Sequence, residues 1–90
     1  MTKRHETSGK HEYNVAAGKL VEDAMREKGV TQTALAEMVG LSQSALSRKM
    51  SGVRGWDIGE LIEVAAILDV PITDLIPSRL SGARGQSLTQ

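Results

Sequence analysis

The run over residues 31–52, TQTALAEMVGLSQSALSRKMSG, constrains the fold most, because it sets two short helix patterns on either side of a single glycine. The Thr31 hydroxyl can accept from backbone N–H groups that have no partner at a helix start. Leu35, Ala36 and Val39 then fall on one helical stripe facing a core. Gly40 follows at once and can take the left-handed backbone that ends a helix and turns the chain sharply. Leu41 dips back inward, and Ser42 caps a second helix over 43–51 that Gly52 closes. In that helix Leu46 and Met50 stand one turn apart and anchor it to the core. Gln43, Ser44, Ser47, Arg48 and Ser51 are left pointing largely outward.

The outward set is unusual for a merely structural surface. Serine is a poor helix former that competes for backbone hydrogen bonds, and Glu, Lys or Ala would serve a solvated face better. Short hydrogen-bonding side chains with one Arg do suit close contact with base edges. Gln pairs bidentately with adenine, Arg with guanine, and Ser with several bases.

Helical patterning continues on both sides. Asn14 is placed to cap a first helix over 15–28, with Ala17, Leu20, Val21, Ala24 and Met25 as its inner stripe and Gly29 as its stop. After the loop VRGW, Asp57 and Glu60 have capping-box spacing for a helix over 58–68. Trp56 and Leu61 flank that start at the spacing of a hydrophobic staple, with a contact from Trp56 to a DNA sugar or phosphate as the alternative role. Leu61, Ile62, Ala65 and Leu68 supply the apolar face. Pro71 blocks further helix, and 73–76 forms a last short turn before Pro77. Residues 1–12 and 78–90 lack an apolar period and read as flexible tails around one domain over 13–77. The fold class is therefore all-α, a compact bundle of five short helices. Its core has no Phe and must be filled by Leu, Val, Ile, Met and Ala.

Ninety residues without an internal repeat allow one small domain. With no Cys there are no disulfides or thiolate metal sites, and His5 and His11 alone cannot complete a tetrahedral metal site. No long apolar run or signal-peptide core is present, so the expected location is cytoplasmic. Acidic residues and His never gather on one face with nucleophile or metal spacing, and no phosphate-binding glycine loop follows a strand. The expectation is no enzyme, no cofactor and no small-molecule ligand.

A net charge of zero argues at first against a nucleic-acid partner. The distribution answers that. Arg48, Lys49 and Arg54 lie between Met38 and Trp56 with no acid among them, while Asp57, Glu60, Glu63, Asp69 and Asp74 follow with no base before Pro77. A local basic face acts independently of an acidic one farther away than a Debye length of about 8 Å.

At Thr31-Gln32, Leu35-Ala36, Gly40, Ser42-Gln43-Ser44, Leu46, Ser51-Gly52, Glu60-Leu61, Ala65-Ala66, Leu68 and Val70 to Leu75 the chain resembles the lambda repressor and Cro type of helix-turn-helix protein, the Xre-like family. The resemblance spans about two-thirds of the chain, from Val15 to Pro77. It implies a sequence-specific regulator of transcription, a repressor acting as a homodimer on a palindromic operator in double-stranded DNA, of phage, prophage or chromosomal origin. The 43–51 helix would enter the major groove, with Gln43, Ser44, Ser47 and Arg48 reading bases and Gln32, Ser42, Lys49, Ser51 and Arg54 contacting phosphate. Gln32 would also support Gln43. Lys49 departs from the aliphatic residue common at its position and would snorkel toward phosphate. Many members pair an Arg late in the first helix with a Glu late in the reading helix. Here Met25 and Met50 stand at those places, and an apolar contact is expected instead. The dimer surface expected from family habit is the 73–76 turn with Leu75 and Leu80. Antitoxins share the fold, so a protein-interaction module is the alternative function.

Overall fold

The computed structural model describes residues 2–77, with side chains from Lys10 onward. Expectations for Met1, the 78–90 tail and Leu80 lie outside the described residues. Helix α1 (Thr2–Lys28) is followed by α2 (Gln32–Val39), α3 (Gln43–Ser51), α4 (Ile58–Leu68) and a single 3-10 turn, η1 (Ile72–Leu75). There is no strand among the described residues. The fifth expected helix is thus the 3-10 turn.

Chain chemistry explains each boundary in the middle of the fold. Thr31 caps α2 by accepting from the Ala34 N–H at 3.1 Å, and Ser42 caps α3 by accepting from the Ala45 N–H at 3.0 Å. Gly40 (φ 75°) and Gly52 (φ 90°) close these helices in the left-handed conformation, as the sequence predicts. Asp57 and Glu60 form the complete capping box of α4, at 2.8 and 3.0 Å.

Three expectations are corrected. Helix α1 begins at Thr2 rather than Val15, so Asn14 lies inside it and caps nothing. The segment has no proline and is rich in Lys, Arg and Glu, which sustain a helix without an apolar stripe. In α4 the buried face is Leu61, Val64, Ala65 and Leu68, whereas Ile62 is 55% exposed. IGELIEVAAIL is apolar on two faces, and periodicity cannot choose between them. Finally, Leu75 is fully buried, so it belongs to the core and offers no surface to a second chain.

The core joins Val21, Ala24 and Met25 of α1 to Leu35, Ala36, Leu46, Leu61, Val64, Ala65, Leu68 and Leu75. Met50 packs against the same cluster, so both places where relatives carry an ion pair are apolar here. Trp56 also packs against it, as a staple requires, and its Nε1 is enclosed without a partner. The indole N–H is therefore turned away from any external phosphate.

Helix α4 ends on Asp69, the one non-glycine residue with positive φ (58°) among the described residues. Its N–H and that of Val70 close on the carbonyls of Ala66 and Ala65 at 3.3 and 3.0 Å. A left-handed backbone is strained for any residue with a Cβ, Asp less than most. Asp69→Gly is expected to stabilise the domain by about 0.5–1 kcal/mol, the released strain outweighing the added freedom of the unfolded chain. A thermal melt checks this, with a rise of a few degrees expected and a fall contradicting it.

Candidate nucleic-acid interface

Helix α3 lies against α1 on one side and α2 on another. Its fully buried Leu46 fixes its rotation. That rotation leaves Gln43, Ser44, Ser47, Arg48 and Ser51 exposed, the set expected from the sequence. Among them, Gln43, Ser44, Ser47 and Arg48 follow helical spacing along the first two turns, as a helix entering a groove would present them.

The support of Gln43 differs from expectation. Its Nε2 donates to the Thr33 Oγ1 at 3.0 Å, not to Gln32. Gln32 is the exposed first residue of α2, and Thr33 is the residue of that turn that reaches the start of α3. This hydrogen bond ties the two helix N-termini together through side chains. The Gln43 Oε1 and the second Nε2 hydrogen stay available, which are the acceptor and donor an adenine edge requires. Thr33 was not legible as a site residue, because its pairing spans ten positions and carries no motif.

The expected phosphate contacts separate into three kinds. Gln32 and Ser42 are exposed at the two helix starts. Ser42 accepts from Ala45 but keeps its hydroxyl hydrogen for an outside acceptor. Beyond the capping bonds, the N–H groups of Gln32, Thr33, Gln43 and Ser44 have no helical partner and add donors for an anion. Ser51, exposed in the last turn of α3, donates to the Arg48 carbonyl of its own helix at 3.2 Å.

Lys49 is the clearest correction. It is only 8% exposed, and its Nζ donates to the Gly55 carbonyl at 3.0 Å and to Glu60 Oε1 at 2.9 Å. The same ammonium lies 5.9 Å from the centre of the Trp56 ring. A lysine so enclosed presents no charge to a phosphate. The stem could follow the core only by turning inward, and Glu60 supplies the counter-charge. Arg48 and Arg54 remain as the exposed cations of the 38–56 stretch.

If Thr33 holds Gln43 for base reading, Thr33→Val should weaken discrimination at a single base pair by about 1 kcal/mol, roughly fivefold. Competition binding with single-base variants of a preferred duplex checks this. Uniform weakening on all variants would contradict it.

The comparisons agree with this geometry. The family model described as Helix-turn-helix matches residues 21–75, from the last third of α1 to the end of η1. The crystal structure of the restriction-modification controller protein C.AhdI from Aeromonas hydrophila superimposes with a TM-score of 0.64 at 26% sequence identity. The match covers 69% of this chain and 94% of that one. No curated protein sequence matches.

Proposed function

The chain belongs to the helix-turn-helix family of the lambda repressor-like, Xre type and is a DNA-binding transcriptional regulator; from that premise we propose that it is a sequence-specific repressor that binds a two-fold operator as a homodimer, with α3 in the major groove. The observation that carries this reading is the exposed polar face of α3, Gln43, Ser44, Ser47 and Arg48, set on a helix whose Leu46 is locked in the core. Bases are read by those four residues, and the backbone is held by Gln32, Ser42, Arg54 and the N–H groups at the starts of α2 and α3. Likeness to a restriction-modification controller protein supports a controlling rather than a catalytic role.

One recognition helix spans too few base pairs to bind tightly, and two-fold pairing over half-sites about one helical turn apart multiplies the contacts. The second copy is seated on the outer side of α4. Along that helix Ile58 and Ile62, one turn apart, are 60% and 55% exposed, and in the loop that leads into it Val53 is 69% exposed. Three large apolar side chains in one stretch are what a self-complementary surface needs.

A salt-titrated gel shift of the purified protein on the DNA flanking its own gene tests the proposal, with stoichiometry measured in the same complex. Two chains per inverted repeat, with affinity falling steeply as salt rises, is the expected result. Failure to bind at low salt, together with co-purification of another protein, would favour the protein-interaction alternative.

A further inference from the structure

Lys49 sits in the reading helix, yet its ammonium reaches out of it, to Gly55 in the loop beyond that helix and to Glu60 of α4. The 53–55 loop carries Arg54 and is fastened at both ends. On the incoming side the N–H groups of Val53 and Arg54 donate to the Arg48 carbonyl, at 3.0 and 3.1 Å. On the outgoing side the Gly55 carbonyl accepts from the Lys49 ammonium at 3.0 Å. Glu60 fixes that ammonium in turn at 2.9 Å, and the same Glu60 oxygen accepts from the Asp57 N–H at the start of α4. On the α1 side the Asn14 side chain lies close to Gly55. Arg54 therefore projects from a backbone held on both sides, directly after the helix that carries Arg48.

We propose that Lys49 is a positioning residue for DNA binding: held by Glu60, it fixes the Gly55 carbonyl and thereby sets Arg54 against a backbone phosphate at the end of α3. The inference rests on the reading of Arg54 as a phosphate contact. Its physical content is preorganisation. A long cation on a loose loop must be ordered when it binds, whereas one on a pinned loop loses less freedom. Lys49 acts through Arg54 and does not itself meet the phosphate, because its ammonium is buried and already offset by a carboxylate.

The test compares wild type, Lys49→Met, Lys49→Arg, Arg54→Ala and the Lys49→Met/Arg54→Ala double variant on a short mixed-sequence DNA duplex. The readouts are the affinity at a fixed salt concentration and the slope of log affinity against log salt, with a thermal melt of each protein alongside. Met fills the space of the lysine stem, and Glu60, with 26% side-chain exposure, can be hydrated when its partner is gone, so the fold persists. Arg54→Ala should reduce the slope by about 0.9, the share of one phosphate. Lys49→Met should weaken affinity several-fold at every salt while keeping the wild-type slope, because Arg54 still meets its phosphate but must be ordered to do so. Lys49→Arg should retain both affinity and slope, and the double variant should match Arg54→Ala in both. A slope reduced by about 0.9 in Lys49→Met, and by twice that in the double variant, would make Lys49 a direct phosphate contact and overturn the inference. A shifted melting temperature with unchanged affinity at every salt in Lys49→Met would make it purely structural, which also overturns it. An unchanged slope in Arg54→Ala would remove the reading of Arg54 itself, a distinct failure.

Discussion

Gly18→Ala is expected to remove more than half of the domain's stability. Helix α1 crosses the last turn of α3 at this residue, and a Cβ there would fall on the Met50 carbonyl, 2.8 Å from its carbon and 3.0 Å from the Lys49 oxygen. These are backbone atoms of a helix, which cannot swing aside as a side chain can, so the two helices must separate. The same junction is tight one turn earlier, where Val15 meets Gly52 and a Cβ on Gly52 would lie 2.9 Å from the Val15 Cα. Alanine ordinarily favours a helix over glycine by about 1 kcal/mol, but that gain is overwhelmed here. Overpacking against flexible neighbours costs about 1–3 kcal/mol, and forcing two backbones apart costs more. A loss of at least about 3 kcal/mol from a domain whose total stability is on the order of 5 kcal/mol is a large part of the whole. Urea unfolding measures it directly. A midpoint equal to or above that of wild type would show that the close crossing is not required.

Ser47→Glu separates folding from function. Ser47 is exposed in the middle of α3 and makes no contact that holds the helix in place. Glutamate is the better helix former, so the melting temperature should stay the same or rise slightly. On DNA the result is opposite. A carboxylate in the centre of the reading face meets the negative groove and its flanking phosphates, and like charges brought together at an interface cost several kcal/mol. A loss of about 3 kcal/mol lowers affinity more than a hundredfold. Electrophoretic or fluorescence titration checks the affinity, and a circular-dichroism melt checks the fold. Binding within a few-fold of wild type would place the nucleic acid somewhere other than on α3.

The parts of the fold visible in the sequence are those set by local chemistry. Thr31, Ser42 and Asp57 cap helices at the positions their hydroxyl and carboxylate groups indicate, and Gly40 and Gly52 stop them. The outward face of α3 was legible for the same reason, since Leu46 and Met50 fix its rotation. What the sequence hid depends on neighbours distant in the chain. Gly18 looks like an ordinary weak point in a helix until α3 is laid across it. Lys49 reads as a surface cation until Glu60, eleven positions on, closes over it. Ile62 and Val64 compete for the inside of α4, and only the packing of α1 and α2 decides for Val64. Asp69 gives no glycine signal, because an αL stop on a β-carbon residue is recognised by conformation and not by residue type. The long start of α1 went unseen because apolar periodicity detects buried faces, and a charged helix can form without one.

Selection from a random duplex library by the full chain, read by sequencing, tests base reading by α3 most directly. Wild type should enrich one motif, arranged as an inverted repeat with half-sites about ten base pairs apart. Arg48→Ala should broaden the preference at one position of each half-site while the others remain sharp. Enrichment of no motif, or of one that Arg48→Ala and Ser47→Glu both leave unchanged, would contradict sequence recognition by this helix.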